Sequence, residues 1–167
     1  MKKPQNFNIT IAYPSGDLRV VALAFAYDAL GSFETGGENR GKIVRAVMGG
    51  LEGAQWHWCA GFATWVYFLA AKLLGKPWPF QELGNTRFSS SALYAWAKRK
   101  GYLTRQPVNG DLFLLRAPKG SKFSHTHTGL VARVTASYFF TVEGNQGDAV
   151  TEVKRLQSGG YDFIHIP

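Results

Sequence analysis

The chain holds one cysteine, Cys59, set between Trp58 and Ala60 where a long apolar run begins. A thiol in the first turn of a helix faces unpaired backbone N–H groups and the positive end of the helix dipole, and both favour the thiolate. That placement suits nucleophilic attack, and a thiol nucleophile needs a proton acceptor. The segment His125-Thr126-His127-Thr128-Gly129-Leu130-Val131 offers two imidazoles two residues apart, hence on one side of an extended chain. An orienting group is available in Thr141-Val142-Glu143-Gly144-Asn145, where Glu143 and Asn145 again share a face. Cysteine, histidine and an acid or amide at the ends of three elements are the parts of a thiol hydrolase. Taken alone, a cysteine in an apolar helix reads as a small core hydrophobe.

A second chemistry uses the same atoms. His57 and Cys59 have one residue between them, as do His125 and His127, and two such pairs could form a tetrahedral zinc site. Zinc leaves Glu143 and Asn145 without a task, and the spacings lack a zinc-finger pattern. No metal and no cofactor are expected. His165, on an apolar Phe163/Ile164/Ile166 stretch, reads as structural.

Helices must present the cysteine. After Ser15-Gly16-Asp17, which supplies capping oxygens, Leu18, Val21, Ala22, Phe25 and Ala29 recur at helical spacing until Gly31. A weaker helix runs from about Gly41 to Met48, after the glycine-rich stretch 33–41, whose polar groups must face water or a ligand. The strongest helix is Cys59 to Leu74, apolar nearly all round and therefore central, closed by Gly75, Pro77 and Pro79. Another follows the Ser89-Ser90-Ser91 cap and carries Lys98-Arg99-Lys100 in its last turn, where cations suit the dipole.

Strands must present the histidine and the acid. The second half reads as Asp111 to Arg116, Thr128 to Val134, Tyr138 to Val142, Val150 to Arg155 and Tyr161 to Ile166, spaced as in a meander. Helices first and consecutive strands afterwards give an α+β fold, with an antiparallel sheet of about five strands packed on N-terminal helices.

Composition agrees with a folded globule. In 167 residues, 46% are apolar and 18% charged, and a chain of this length forms one compact domain, so residues 1–167 are expected to be a single domain. One cysteine closes no internal disulfide. The basic start, Met1 to Asn8, runs into polar residues where a secretory signal would place its apolar stretch, so synthesis in the cytoplasm without a classical signal peptide is expected. The longest apolar run, Val20 to Tyr27, is too short for a membrane span. Nineteen Lys and Arg against eleven Asp and Glu give +8, an attraction to polyanions that does not choose among nucleic acid, acidic lipid and an anionic wall polymer.

The segments WCAGFATWV (58–66), NGDLFLL (109–115), HTGLV (127–131) and TVEGN (141–145), in that order, resemble the CHAP family of cysteine, histidine-dependent amidohydrolases and peptidases. The stretch Glu34 to Gly41 is similar to the region preceding the nucleophile in such proteins, so the likeness spans roughly Leu30 to Asn145. It implies a papain-like fold, related to NlpC/P60 domains, and hydrolysis of an amide bond in bacterial peptidoglycan, as in phage endolysins and bacterial wall hydrolases. It also implies that Cys59 is the nucleophile and His127 the base, that Glu143 orients the imidazole, and that Asn145 assists that task or the oxyanion site. The Cys59 N–H would be one oxyanion donor, and Gln55 lies upstream as the papain-like oxyanion glutamine does. Some members bind calcium just before the cysteine; here Gly49 to Trp58 holds a single carboxylate, too few hard ligands.

Trp56 and Trp58 are expected to wall the substrate groove, with Gln55 and His125 facing substrate. The expected partner is peptidoglycan, met after release or delivery to the wall as a lysin or antibacterial effector; an immunity protein or inhibitor is a further candidate partner, and the chain is expected to be a monomer. The leading non-enzymatic alternative is nucleic-acid binding. It explains the charge and nothing else, because the basic residues are scattered and no stacking platform or helix-turn-helix joins them.

Overall fold

The structure, a computed structural model, describes residues 16–167. Helix α1 spans Leu18–Asp28, and Asp17 caps it by accepting from the Arg19 N–H at 2.9 Å. Ser15 and the basic start 1–8 lie outside the described residues. Helix α2 is Lys42–Val47 and α3 is Cys59–Leu74, ended by Gly75 in the left-handed conformation that a C-terminal cap requires. Ten of the sixteen residues of α3 are buried, as its apolar circumference predicts. A 3₁₀ segment, Gln81–Phe88, leads to α4, Ser90–Lys100, capped by Ser89. Nothing in the residue pattern marks the 3₁₀ segment, since such turns carry no apolar periodicity.

The strands are β1 (Leu103–Thr104), β2 (Leu112–Arg116), β3 (His125–Val134), β4 (Tyr138–Glu143), β5 (Thr151–Leu156) and β6 (Tyr161–Ile164). They form one antiparallel sheet in the order β1-β6-β2-β3-β4-β5. The architecture is α+β, as expected. Two details differ from a five-strand meander. Consecutive order holds only from β2 to β5, because β6 returns to pair Leu112–Leu115, and the two-residue β1 then closes the edge. Strand β3 also starts three residues early. The Ser91 hydroxyl of α4 accepts from the Ser124 and His125 N–H groups at 3.1 Å and so anchors that extension.

Side chains alternate between two cores, as a two-faced sheet requires. Leu112, Leu114, Leu130 and Val142 pack with α1, α3 and α4 in the main core, where Phe62, Tyr67, Phe80 and Trp96 are fully buried or nearly so. Phe113, Val131 and Phe139 form a smaller cluster on the other face with Tyr161 and Phe163. His127 lies opposite Leu115, and Phe113 opposite Gly129, so His127 belongs to this second face. A Cβ on Gly129 would come within 2.8 Å of the Glu143 side chain, so only glycine lets β4 bring its carboxylate beside the histidine strand. Among the described residues no helix is long and apolar enough to cross a membrane.

Candidate active site

Cys59 opens α3 and is 5% exposed. The helix is central because it is apolar nearly all round, so its first residue is fixed where the helix end meets the sheet. Two links brace the segment leading to it. Asn39, buried and left-handed, donates to the Ala54 carbonyl at 3.1 Å, and its own carbonyl accepts from the Gly53 N–H at 2.8 Å. Glu52 accepts from the Gly41 N–H and from Arg45. Asn39 and Gly41 therefore fasten the chain ahead of the cysteine, while most of the stretch 33–41 faces water as expected.

His127 faces Cys59 and Glu143 together. Its Nε2 lies 2.7 Å from Glu143 Oε2, which leaves Nδ1 as the ring nitrogen for the thiol. Burial by itself would lower the His127 pKa, but its hydrogen bonds with Cys59 and Glu143, and their charges, outweigh burial and raise it to about 9. Burial would likewise raise the Cys59 thiol. Pairing with His127, the Ala60 N–H and the Ser90 hydroxyl overcome that and hold it below the ordinary thiol value. Both shifts act in one direction, favouring a thiolate beside an imidazolium.

Glu143 is fully buried, and burial would raise its carboxyl. His127, Arg155 and Thr141 together hold it below the usual carboxylate range instead. Arg155 clamps it with two 2.6 Å bonds, from Nε to Oε1 and from Nη2 to Oε2, while the Thr141 hydroxyl donates to Oε1. The guanidinium in turn lies 4.7 Å over the Phe113 ring, whose centroid is 5.9 Å from that of His127. The imidazole is thus held by an anion that is itself held by a cation, on an aromatic floor.

A cleft of about 490 Å³ opens at Cys59. Gln55, Trp56, His57, Ser90, Phe123 and His125 are among its lining residues, and Trp56 is steadied edge-on against Phe88. Two expectations, for Trp58 and Asn145, need correction. Trp58 does not wall the groove. It is completely buried in the main core, with its indole N–H directed at Glu34, because the residue just before α3 must enter the core with that helix. His125 lines the cleft, as expected of a residue facing substrate, and is held there at 5% exposure by Asp162 and Ser124 at 2.9 Å and by packing on Tyr94. A register shift between Leu115 and Arg116 separates its partners from those of His127. Asn145 makes no hydrogen bond to His127; its side chain donates to Asn39 Oδ1 at 3.2 Å and so braces the segment ahead of Cys59. The zinc arrangement does not assemble either, since among the described residues no three His, Cys, Asp or Glu side chains are grouped to hold a metal ion. His165 is structural as expected, contacting Arg19 and the buried Asp111.

Three contributors were missed. Arg155 and Thr141 could not be assigned, because strand register fixes their reach, and Arg155 sits four residues along β5 from Thr151, which faces Glu143. Ser90 was visible only as part of a helix cap.

The sequence model of the CHAP domain matches residues 50–145, more than half of the chain and all of Cys59, His127 and Glu143. No curated protein and no solved structure matches the chain.

Proposed function

Because the chain belongs to the CHAP family, whose domains are papain-like and typically hydrolyse peptidoglycan, we propose that it cuts an amide bond of peptidoglycan through a Cys59 thioester. The observation that carries this reading is the single imidazole shared by a thiol below its ordinary pKa and a buried, clamped carboxylate. The thiolate attacks the amide carbon, and the Cys59 N–H, at the open end of α3, receives the developing oxyanion. His127 gives its proton to the departing amine as the C–N bond breaks, leaving a thioester and a neutral ring. That ring then takes a proton from water, whose oxygen attacks the thioester and releases the carboxylic acid and the thiolate. Glu143 holds the ring and stabilises its charged form in both half-reactions. Trp56 and Phe123, the latter 51% exposed at the rim, give the cleft aromatic walls suited to a sugar–peptide polymer.

N-acetylmuramoyl-L-alanine amidase and stem or cross-bridge endopeptidase activity use the same constellation and differ in groove shape. Mass spectrometry of fragments released from defined peptidoglycan tests the proposal and names the bond. New amine and carboxyl termini at one linkage are expected, absent with Cys59→Ala; fragments cut at glycosidic bonds, or none, would overturn it. We place its action at the cell wall, after release or delivery, and the +8 charge supplies an attraction to the anionic envelope.

The ion pair also sets the pH dependence. A raised His127 contributes stability below about 6.5 that is lost as pH rises toward about 9, while a lowered Cys59 contributes stability above its ordinary value that is lost as pH falls. In between the two offset each other, because the proton moves from sulfur to ring rather than to solvent. Activity carries the signal: kcat/KM is expected to rise with pH below the ordinary thiol range, hold a plateau, and fall near pH 9 as His127 loses its proton. An acid limb at the ordinary thiol pKa would mean that no ion pair forms.

A further inference from the structure

Ser90 begins α4 one residue after its cap, and the reaction described above assigns its hydroxyl no task. Of the three consecutive serines, Ser89 caps the helix by accepting from the Ala92 N–H, and Ser91 accepts from two N–H groups and donates to the His125 carbonyl at 3.1 Å. Ser90 is 4% exposed, and among the described residues its Oγ has no hydrogen-bond partner. Burying an unpaired hydroxyl is unfavourable, and alanine would occupy a first helical turn without that cost. The hydroxyl must therefore be explained by what it faces. It lines the cleft that Cys59 opens into, where it is among the groups that hold the Cys59 thiol below its ordinary value.

We propose that Ser90 is a catalytic hydrogen-bond donor, whose hydroxyl holds the Cys59 sulfur while it is negatively charged. The proposal rests on the reading of Cys59 as the nucleophile and adds a second element to its surroundings. A thiolate accepts an O–H strongly and a neutral thiol accepts it weakly, so a donor fixed here favours the charged form. The two helices act in the same sense: α3 presents N–H groups at Cys59, and α4 directs its positive end into the same cleft from the other side. Burial keeps water from competing for the sulfur. The other titratable groups are accounted for. His127 on β3 pairs with the thiol, Glu143 on β4 acts through His127, and His57 and His125 line the cleft wall.

Because the chain holds one cysteine, the pH dependence of its alkylation by iodoacetamide reads Cys59 alone. In the wild type the reactive thiolate is expected to persist below the ordinary thiol range. Ser90→Ala should move the curve up by about one pH unit, a roughly tenfold slower alkylation on the acid side, and Ser90→Gly, which also lacks the hydroxyl, should do the same. Ser90→Thr, which keeps the hydroxyl, should stay within about threefold of the wild type. The thermal midpoint of Ser90→Ala should be no lower than that of the wild type, whereas a packing role would lower it and leave the curve in place. Wild-type curves in both hydroxyl-free variants would overturn the role of Ser90 alone. An ordinary thiol curve in the wild type would overturn the nucleophile reading as well, so the two failures are distinguishable.

Discussion

Cys59→Ala is expected to lower hydrolysis of purified cell walls by at least about a thousandfold, with His127→Ala close behind. Without sulfur there is no covalent intermediate, and water must attack an amide directly with only the backbone donor of α3 and the clamped imidazole to help. Without His127 the thiol loses the partner that ionises it, and the leaving amine loses its acid. The two residues act as one unit, so the double variant should be little worse than either single one. Both variants should keep the fold, since Cys59 contributes a small buried side chain and His127 stands at the edge of the smaller core. A second readout separates catalysis from structure. In Cys59→Ala the imidazole loses its sulfur partner, so its NMR titration should move down from about 9. Turbidity loss at wild-type rate in either single variant would end the thiol mechanism.

Arg155→Ala is expected to produce the largest loss of stability. It removes both guanidinium bonds from a carboxylate with no exposure, beneath a ring that pairs with the same carboxylate. Breaking a buried pair from one side leaves an uncompensated charge and costs about 3–5 kcal/mol, read as a lower midpoint in denaturant. The sign with pH follows from the direction of the Glu143 shift. A depressed carboxyl contributes stability above its unfolded value that is lost as pH falls through its folded value, so removing Arg155 should start acid unfolding at a higher pH. Arg155→Met combined with Glu143→Gln should recover part of the loss, because it removes both charges and keeps the volume. At Glu143, Gln should lower activity less than Ala, since it can still accept from the ring while losing the charge. If the Arg155 and Glu143 single losses simply add in the double variant, the clamp is not a coupled unit.

Much of the frame was legible along the chain. The start of α3 at Cys59 and its end before Gly75 follow from a predominantly apolar run and a glycine that takes a left-handed turn at φ 62°. The cap at Ser89 and the cations closing α4 follow from local rules, although Arg99 and Lys100 also pair with Glu82 of the 3₁₀ segment. The strands around His127 and Glu143 were readable from β-branched and aromatic runs between turn residues. Their companions were not. Asn145 shares a strand face with Glu143 in a simple alternation, yet a left-handed backbone at φ 59° turns it away to Asn39. His125 and His127 alternate onto one side only if β2 and β3 stay in register, and the shift at Arg116 breaks that condition.

The sequence by itself determined which residues could be a nucleophile, a base and an acid, where the helices and most strands lie, and that the fold is α+β. Caps, apolar period and turn residues act over a few positions, so a single chain displays them. Only the tertiary structure decided the placements: Trp58 in the core instead of the groove, Asn145 bracing a loop, Arg155 clamping Glu143, and Ser90 on the same cleft as Cys59. Those outcomes depend on register, on strand order with β6 inserted beside β2, and on where two helix ends converge. Each is a property of contacts far apart in the chain, set by how the apolar faces pack and not by any local run of residues.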